Sequence, residues 1–157
     1  MDSYGERFPI EAGSGEGLNF LIVEGRNYHR IADEMRTGAI AVLDAAGATH
    51  DTISVPSAME VPVAIAMALE SGDYDGFVAL GCVIRGQTNH YSSVAGESIR
   101  ALMELAVVDA LPLGIGILTV ETEAQAWIRA QVKDQDRGGD AARAALALAA
   151  VKAKLNS

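Results

Sequence analysis

The chain has 157 residues, 50% of them apolar, a single cysteine and a formal net charge of −9. That length and apolar content suit one compact domain with a full core. The acidic balance argues against a nucleic-acid-binding face, which needs a basic stripe, and one cysteine excludes an internal disulfide and points to a reducing compartment.

Residues 1–17 are rich in Gly, Ser and Glu and read as a flexible extension ahead of a domain over 18–157. They carry neither the basic nor the apolar segment of a secretory signal. The GSGEG at 13–17 precedes the first strand, whereas a dinucleotide fingerprint joins a strand to a helix. Leu18–Glu24 (LNFLIVE) reads as a strand, and Arg30–Ala46 has helical spacing with Ile31, Met35, Ala39, Val42, Leu43 and Ala46 on one face. Gly47 ends that helix. Thr52–Val55 is a second strand stopped by Pro56, and Glu60–Leu69 a helix that tolerates Pro62 in its first turn. After a turn at Ser71–Asp73 come a strand at Gly76–Leu80, a helix at Ser92–Ala110 and a strand at Leu113–Thr119. Helices over Thr122–Ala130 and Gly138–Leu155 close the chain, the last with lysines near its end, where they suit the helix dipole. No stretch reaches the ~18 unbroken apolar residues of a membrane span, so the expectation is a soluble, cytoplasmic protein.

Strict strand–helix alternation predicts an α/β fold with a four-stranded parallel sheet and helices on both faces. The first and third strands are apolar enough for burial on both sides. Ligands of such sheets bind beyond the carboxyl ends of the strands. The segments Gly25–Asn27, Pro56–Glu60, Gly81–His90 and Thr119–Glu121 should therefore meet on one rim.

Several residues on that rim have two readings. His90 is either a plain loop histidine or a general acid–base, since an imidazole titrates near ~6.5. Gly86-Gln87-Thr88 is either a turn or an anion cradle of backbone N–H groups and a hydroxyl. Arg85 either binds ligand or forms an ion pair. Glu60 either complements a helix N-terminus or accepts hydrogen bonds from a polyol. Arg129 either compensates a helix C-terminus, as Lys133 does, or binds phosphate with its planar fork. His29 and His50 read as solvated, Trp127 as core or subunit contact, and Cys82 as a small buried hydrophobe. The sequence has no metal-ligand spacing, no GxSxG elbow, no Walker loop and no GxGxxG between strand and helix.

Four blocks together resemble the lumazine synthase family: VPSAMEVP at 55–62, ALGCVIRGQTNHY at 79–91, GILTVET at 116–122 and the tail from Arg129 to Gly139. The likeness runs in order over about residues 18–155, and LGxVIRGxTxHY is its most specific block. It implies a flavodoxin-like three-layer sandwich and a condensation without cofactor or metal. The substrates would be 5-amino-6-ribitylaminouracil and 3,4-dihydroxy-2-butanone 4-phosphate; the products would be 6,7-dimethyl-8-ribityllumazine, phosphate and water. By position, His90 would move protons, and Gln87, Thr88 and Arg129 would hold the phosphate. Ala58, Met59 and Glu60 would line the ribityl chain, and Cys82, Val83 and Ile84 would present backbone groups to the pyrimidine. The resemblance also implies a homo-oligomer, in the first place a pentamer, with sites between subunits. Ile115 and Arg129 would then come from the next chain.

The chain departs from the family pattern in places. Asn27 stands where an aromatic ring commonly stacks on the pyrimidine, with Tyr28 adjacent. Pro56 is followed by Ser57 in place of glycine, and Met59 and Ile115 occupy positions where phenylalanine is frequent. After His90 the chain reads Tyr91-Ser92-Ser93-Val94, without the acidic residue often found there. The phosphate half of the site keeps its pattern and the pyrimidine half is altered. This leaves open a weakly active or non-catalytic relative that binds a flavin or lumazine-like ligand, or a mainly structural oligomeric shell.

Overall fold

The computed structural model describes residues 5–85 and 91–157, with only the backbone described at 91–93. Its elements are β1 (Asn19–Gly25), α1 (His29–Ala45), β2 (Thr49–Val55), α2 (Val61–Leu69), β3 (Gly76–Ile84), α3 (Tyr91–Val108), β4 (Leu113–Val120), α4 (Glu123–Ala130) and α5 (Arg137–Leu155). The four strands form one sheet in the order β2-β1-β3-β4, and every pairing is parallel.

Side chains along a strand alternate between faces, and the two faces have separate cores. Phe20, Ile22, Val78, Leu80, Cys82, Ile84, Leu118 and Val120 pack with residues of α1, α4 and α5. Leu21, Val23, Phe77, Ala79 and Leu113 pack with Val61 and Ile65 of α2 and Leu102 of α3. The result is a flavodoxin-like three-layer sandwich. Phe20 to Val23 are fully buried; each such side chain contributes roughly 1.5–3 kcal/mol relative to exposure.

The alanine-rich sequence of α5 has a packing reason. Ala141, Ala142, Ala145 and Ala149 are buried, and the helix lies directly on β4. A β-carbon on Gly114 would sit 1.7 Å from the Ala141 carbonyl oxygen, so only glycine admits this approach. Polar caps fix the starts of the last two helices. The Thr122 hydroxyl accepts from the Gln125 amide at 3.2 Å, and the Asp136 carboxylate accepts from the Gly139 amide at 3.2 Å.

Two strands run at least three residues longer than the sequence pattern suggests. β3 continues four residues past Leu80, because Gly81 to Ile84 stay paired with Ile117 to Val120. β2 begins at Thr49 rather than Thr52, through pairing of Asn19 with Thr49. It is an edge strand with most residues exposed, so its first half carries no apolar signal. Residues 5–17 form no strand or helix. The Gly15 amide donates to the Ala46 carbonyl at 2.8 Å, and Arg7 Nε meets Asp140 Oδ1 at 2.7 Å. Among the described residues, no helix is long and apolar enough to cross a membrane.

Candidate active site

The chain moves from β1 to β2 on one side and returns across β1 to β3, so the direction of winding reverses between β1 and β3. Such a switch point leaves a crevice beyond the strand ends, where ligands of open α/β sheets bind. β1 stops at Gly25 while β3 runs on to Ile84. A cavity of about 190 Å³ occupies this step, lined by Asn27, Tyr28, Ser57, Ala58, Met59, Cys82, Val83, Ile84 and Val94. Its floor draws on both faces of β3: Cys82 and Ile84 belong to the α1-side core, and Val83 packs with Ala58 and Ala95 on the other side.

Local sequence explains each wall. Pro56 follows the last residue of β2, and the Ser57 hydroxyl donates to Glu60 Oε1 at 2.7 Å, tying the turn to the first residues before α2. This gives the serine a local role where the family pattern has glycine. The turn lies close over β1, against Gly25. On the other wall, Tyr28 has extended backbone ahead of α1 and its carbonyl accepts from the Ala32 amide at 2.9 Å. The ring is half-buried and packs against the α1-side core; burial is the main cause that pushes the phenol up, with Cys82 and Glu123 adding to it. Burial also pushes the Cys82 thiol up to about 12. The cysteine is therefore a protonated, buried wall residue, not a nucleophile.

Asn27, Ala58, Met59, Cys82, Val83 and Ile84 thus meet at one cavity. Glu60 does not line it, since its carboxylate turns to Ser57. Ile115 lies elsewhere, in a cavity of about 360 Å³ along the free edge of β4, with Phe8, Ile117, Arg137 and Arg143 among its walls. Arg129 reaches the carboxyl end of β4, where Nη1 donates to the Thr119 carbonyl at 3.3 Å. Arg85 pairs with Glu121 at 3.4 Å, both side chains more than half exposed. Gln87, Thr88 and His90 lie outside the described residues. Of the other histidines, His50 is not simply solvated: its Nε2 meets Asp44 Oδ1 at 2.8 Å.

Tyr28, Ser57 and Val94 also line the cavity. The signal for the first two is their place directly beside residues at a strand end. Val94 carries a weaker one, an apolar residue in the first turn of the helix that follows the 86–90 segment.

The profile of the 6,7-dimethyl-8-ribityllumazine synthase family matches residues 17–153. The chain is 57% identical over 149 residues to the 6,7-dimethyl-8-ribityllumazine synthase of Azorhizobium caulinodans, covering 90% of this chain and 92% of that one. It is 56% identical over 145 residues to 6,7-dimethyl-8-ribityllumazine synthase 1 of Rhizobium meliloti, covering 89% and 95% of the two chains. It is also 56% identical over 142 residues to the enzyme of the same name from Agrobacterium fabrum, covering 87% and 96%. With this match over nearly the whole domain, and the flavodoxin-like sheet carrying its cavity at the β1/β3 switch point, the chain belongs to the 6,7-dimethyl-8-ribityllumazine synthase family.

Proposed function

We propose that this chain condenses 5-amino-6-ribitylaminouracil with 3,4-dihydroxy-2-butanone 4-phosphate to 6,7-dimethyl-8-ribityllumazine, and that the cavity at the β1/β3 switch point receives the pyrimidine amine. The observation that carries the site assignment is the meeting of Asn27, Ala58, Met59, Cys82, Val83 and Ile84 around one cavity. The amine attacks the ketone carbonyl and forms an imine with loss of water. Phosphate then leaves by elimination, the resulting enol becomes a ketone, and the second amine attacks that ketone and closes the ring with loss of a second water. Each step moves a proton, and His90 is assigned that role. Ile84 and Val94 both line the cavity, which supports a site for His90 on the segment between them. Gln87, Thr88 and Arg129 are assigned to the phosphate. The reactants are already activated, so holding them together provides much of the acceleration.

The cavity is smaller than the roughly 300–1,000 Å³ of common ligand pockets, which supports a site completed by a second copy. Ile115 and Arg129 are assigned to that copy, and the cavity at the β4 edge is the surface that would meet it. A homo-oligomer, in the first place a pentamer, is also supported by apolar side chains left exposed on α2 and α3: Val63, Met67, Met103, Val107 and Val108. The free buried cysteine accords with the cytoplasm.

The test is turnover of the two substrates, followed by the fluorescence of the lumazine and compared with the uncatalysed condensation. His90→Ala and Arg129→Ala are run alongside. The activity requires a wild-type rate well above background that falls in both variants; a folded oligomer no faster than background would overturn it.

A further inference from the structure

Glu24 places a charge on a central strand, where full burial of a charged side chain is rare unless it is paired. It lies on β1, on the same face as Phe20 and Ile22, and its side chain is fully buried. A buried carboxylate is costly unless its oxygens are fully paired. Glu24 Oε1 accepts from Arg26 Nη1 at 3.0 Å. Its Oε2 accepts from Arg36 Nη1 at 2.7 Å and from the Ser54 hydroxyl at 2.7 Å. Arg26 Nη2 continues to Asp33 Oδ1 at 2.7 Å, and Arg36 Nη2 reaches the same oxygen at 3.3 Å. The four charges close into a ring, Glu24–Arg26–Asp33–Arg36, whose formal charges cancel. Ser54 adds β2, the strand beside Glu24 in the register.

This ring reaches the cavity wall through Arg26. Arg26 is followed directly by Asn27 and Tyr28, which line the cavity; none of the four charged residues lines it. The Arg26 amide also donates to the Val55 carbonyl at 2.9 Å, so the turn is held by backbone on one side and by guanidinium on the other. Replacing a buried ion pair by apolar residues is often neutral or stabilising, so stability alone is a poor account of Glu24. A fixed geometry for the turn is a better one. We infer that Glu24 is a positioning residue: through Arg26 it sets the β1–α1 turn so that Asn27 and Tyr28 form the pyrimidine wall of the site.

The inference rests on the assignment of this cavity to the pyrimidine amine. Its test separates the two substrates. Steady-state kinetics are measured for wild type, Glu24→Gln and Asp33→Asn, each substrate varied in turn, with direct titration of ribitylaminouracil by calorimetry. Asp33 is more than half exposed, so Asp33→Asn keeps a folded comparison if Glu24→Gln does not fold. Glu24→Gln should raise KM and Kd for ribitylaminouracil about tenfold, the pattern of a lost positioning contact. KM for the butanone phosphate and kcat should stay within about threefold, and Asp33→Asn should shift the same way by less. Equal effects on both substrates, or a lowered melting temperature with unchanged KM and Kd, would overturn the inference. Calorimetry reads the wall without turnover, so an inactive wild type that still binds the amine more tightly than Glu24→Gln refutes the activity and keeps the positioning role. A wild type that binds no amine refutes both.

Discussion

Gly25 and Ser57 meet backbone to backbone: a β-carbon on Gly25 would fall 2.6 Å from the Ser57 carbonyl carbon and 2.9 Å from the Ala58 amide nitrogen. Both atoms belong to main chain, so no rotamer change relieves the contact. Gly25→Ala must push the turn at 57–59 outward, and that turn carries Ala58 and Met59 of the cavity wall. The cost in stability should be about 1–3 kcal/mol, as for other overpacked sites. KM for ribitylaminouracil should rise several-fold, more than KM for the phosphate substrate. Denaturant titration and steady-state kinetics on the same preparation check both effects.

Cys82 lines the same cavity but is only 3% exposed. With its thiol pushed up to about 12 by burial, hardly any thiolate exists at neutral pH. A disulfide reagent at pH 8 should titrate no thiol in the folded protein and one per chain after unfolding. Raised above its ordinary value, the thiol also links stability to alkaline pH. Its contribution is complete below about pH 9 and is lost as pH rises toward 12. Rapid labelling of the native protein would show that the cavity wall opens.

The sheet was legible because Phe20–Val23 and Phe77–Leu80 are unbroken apolar runs, as strands buried on both faces must be. The end of β3 was not. Gly81 looks like a stop, yet Ala58 fills the space where its side chain would be, with its β-carbon 3.2 Å from the position a Gly81 β-carbon would take. The cavity residues Asn27, Ala58, Met59 and Cys82–Ile84 were legible as strand-end residues. Val94 was not, since the face that a helix turns toward a cleft is set by its docking. The role of Glu24 was not legible: it only ended the LNFLIVE strand, and its partners Arg36 and Ser54 are 12 and 30 residues away. Only the packing of α1 and β2 brings them together. Ile115 and Arg129 stay outside the cavity of one chain, and their assignment to a second copy comes from the resemblance rather than from any local pattern.

Asp136 combines a left-handed backbone, φ +45°, with a helix-capping carboxylate. Its carboxyl is held above the ordinary value, chiefly by burial; the Gly139 amide and Arg143 pull the other way. A carboxyl raised in the folded state stabilises fully below its unfolded value of 3.8 and loses that contribution as pH rises through the folded value. Asparagine keeps an acceptor for Gly139, tolerates the left-handed region and carries no charge. Asp136→Asn should therefore melt at or above the wild type at pH 7, with the difference gone near pH 3. Thermal melts across that range decide it: a variant several degrees less stable at pH 7 would mean that the Arg143 pair outweighs burial.

Asn27 is exposed at the mouth of the cavity, beside half-buried Tyr28. Tyr28 is committed to the α1-side core, so it is not free to swing over a ligand from its present place. The wall then lacks a stacking ring on that side, so under the proposed assignment the pyrimidine would be held by the backbone of β3 and by the turn. A stacked ring is worth about 1–3 kcal/mol per base, or roughly ten- to hundredfold in affinity. Asn27→Phe should lower KM for ribitylaminouracil by about tenfold, leave KM for the butanone phosphate near its wild-type value, and change stability little because the position is exposed. Kinetics with each substrate varied in turn give the answer directly. An unchanged KM would mean that a ring already stacks there in the complex. Tyr28→Leu would then identify it, by raising KM for the pyrimidine amine in the wild-type background and not in a background that carries the new phenylalanine.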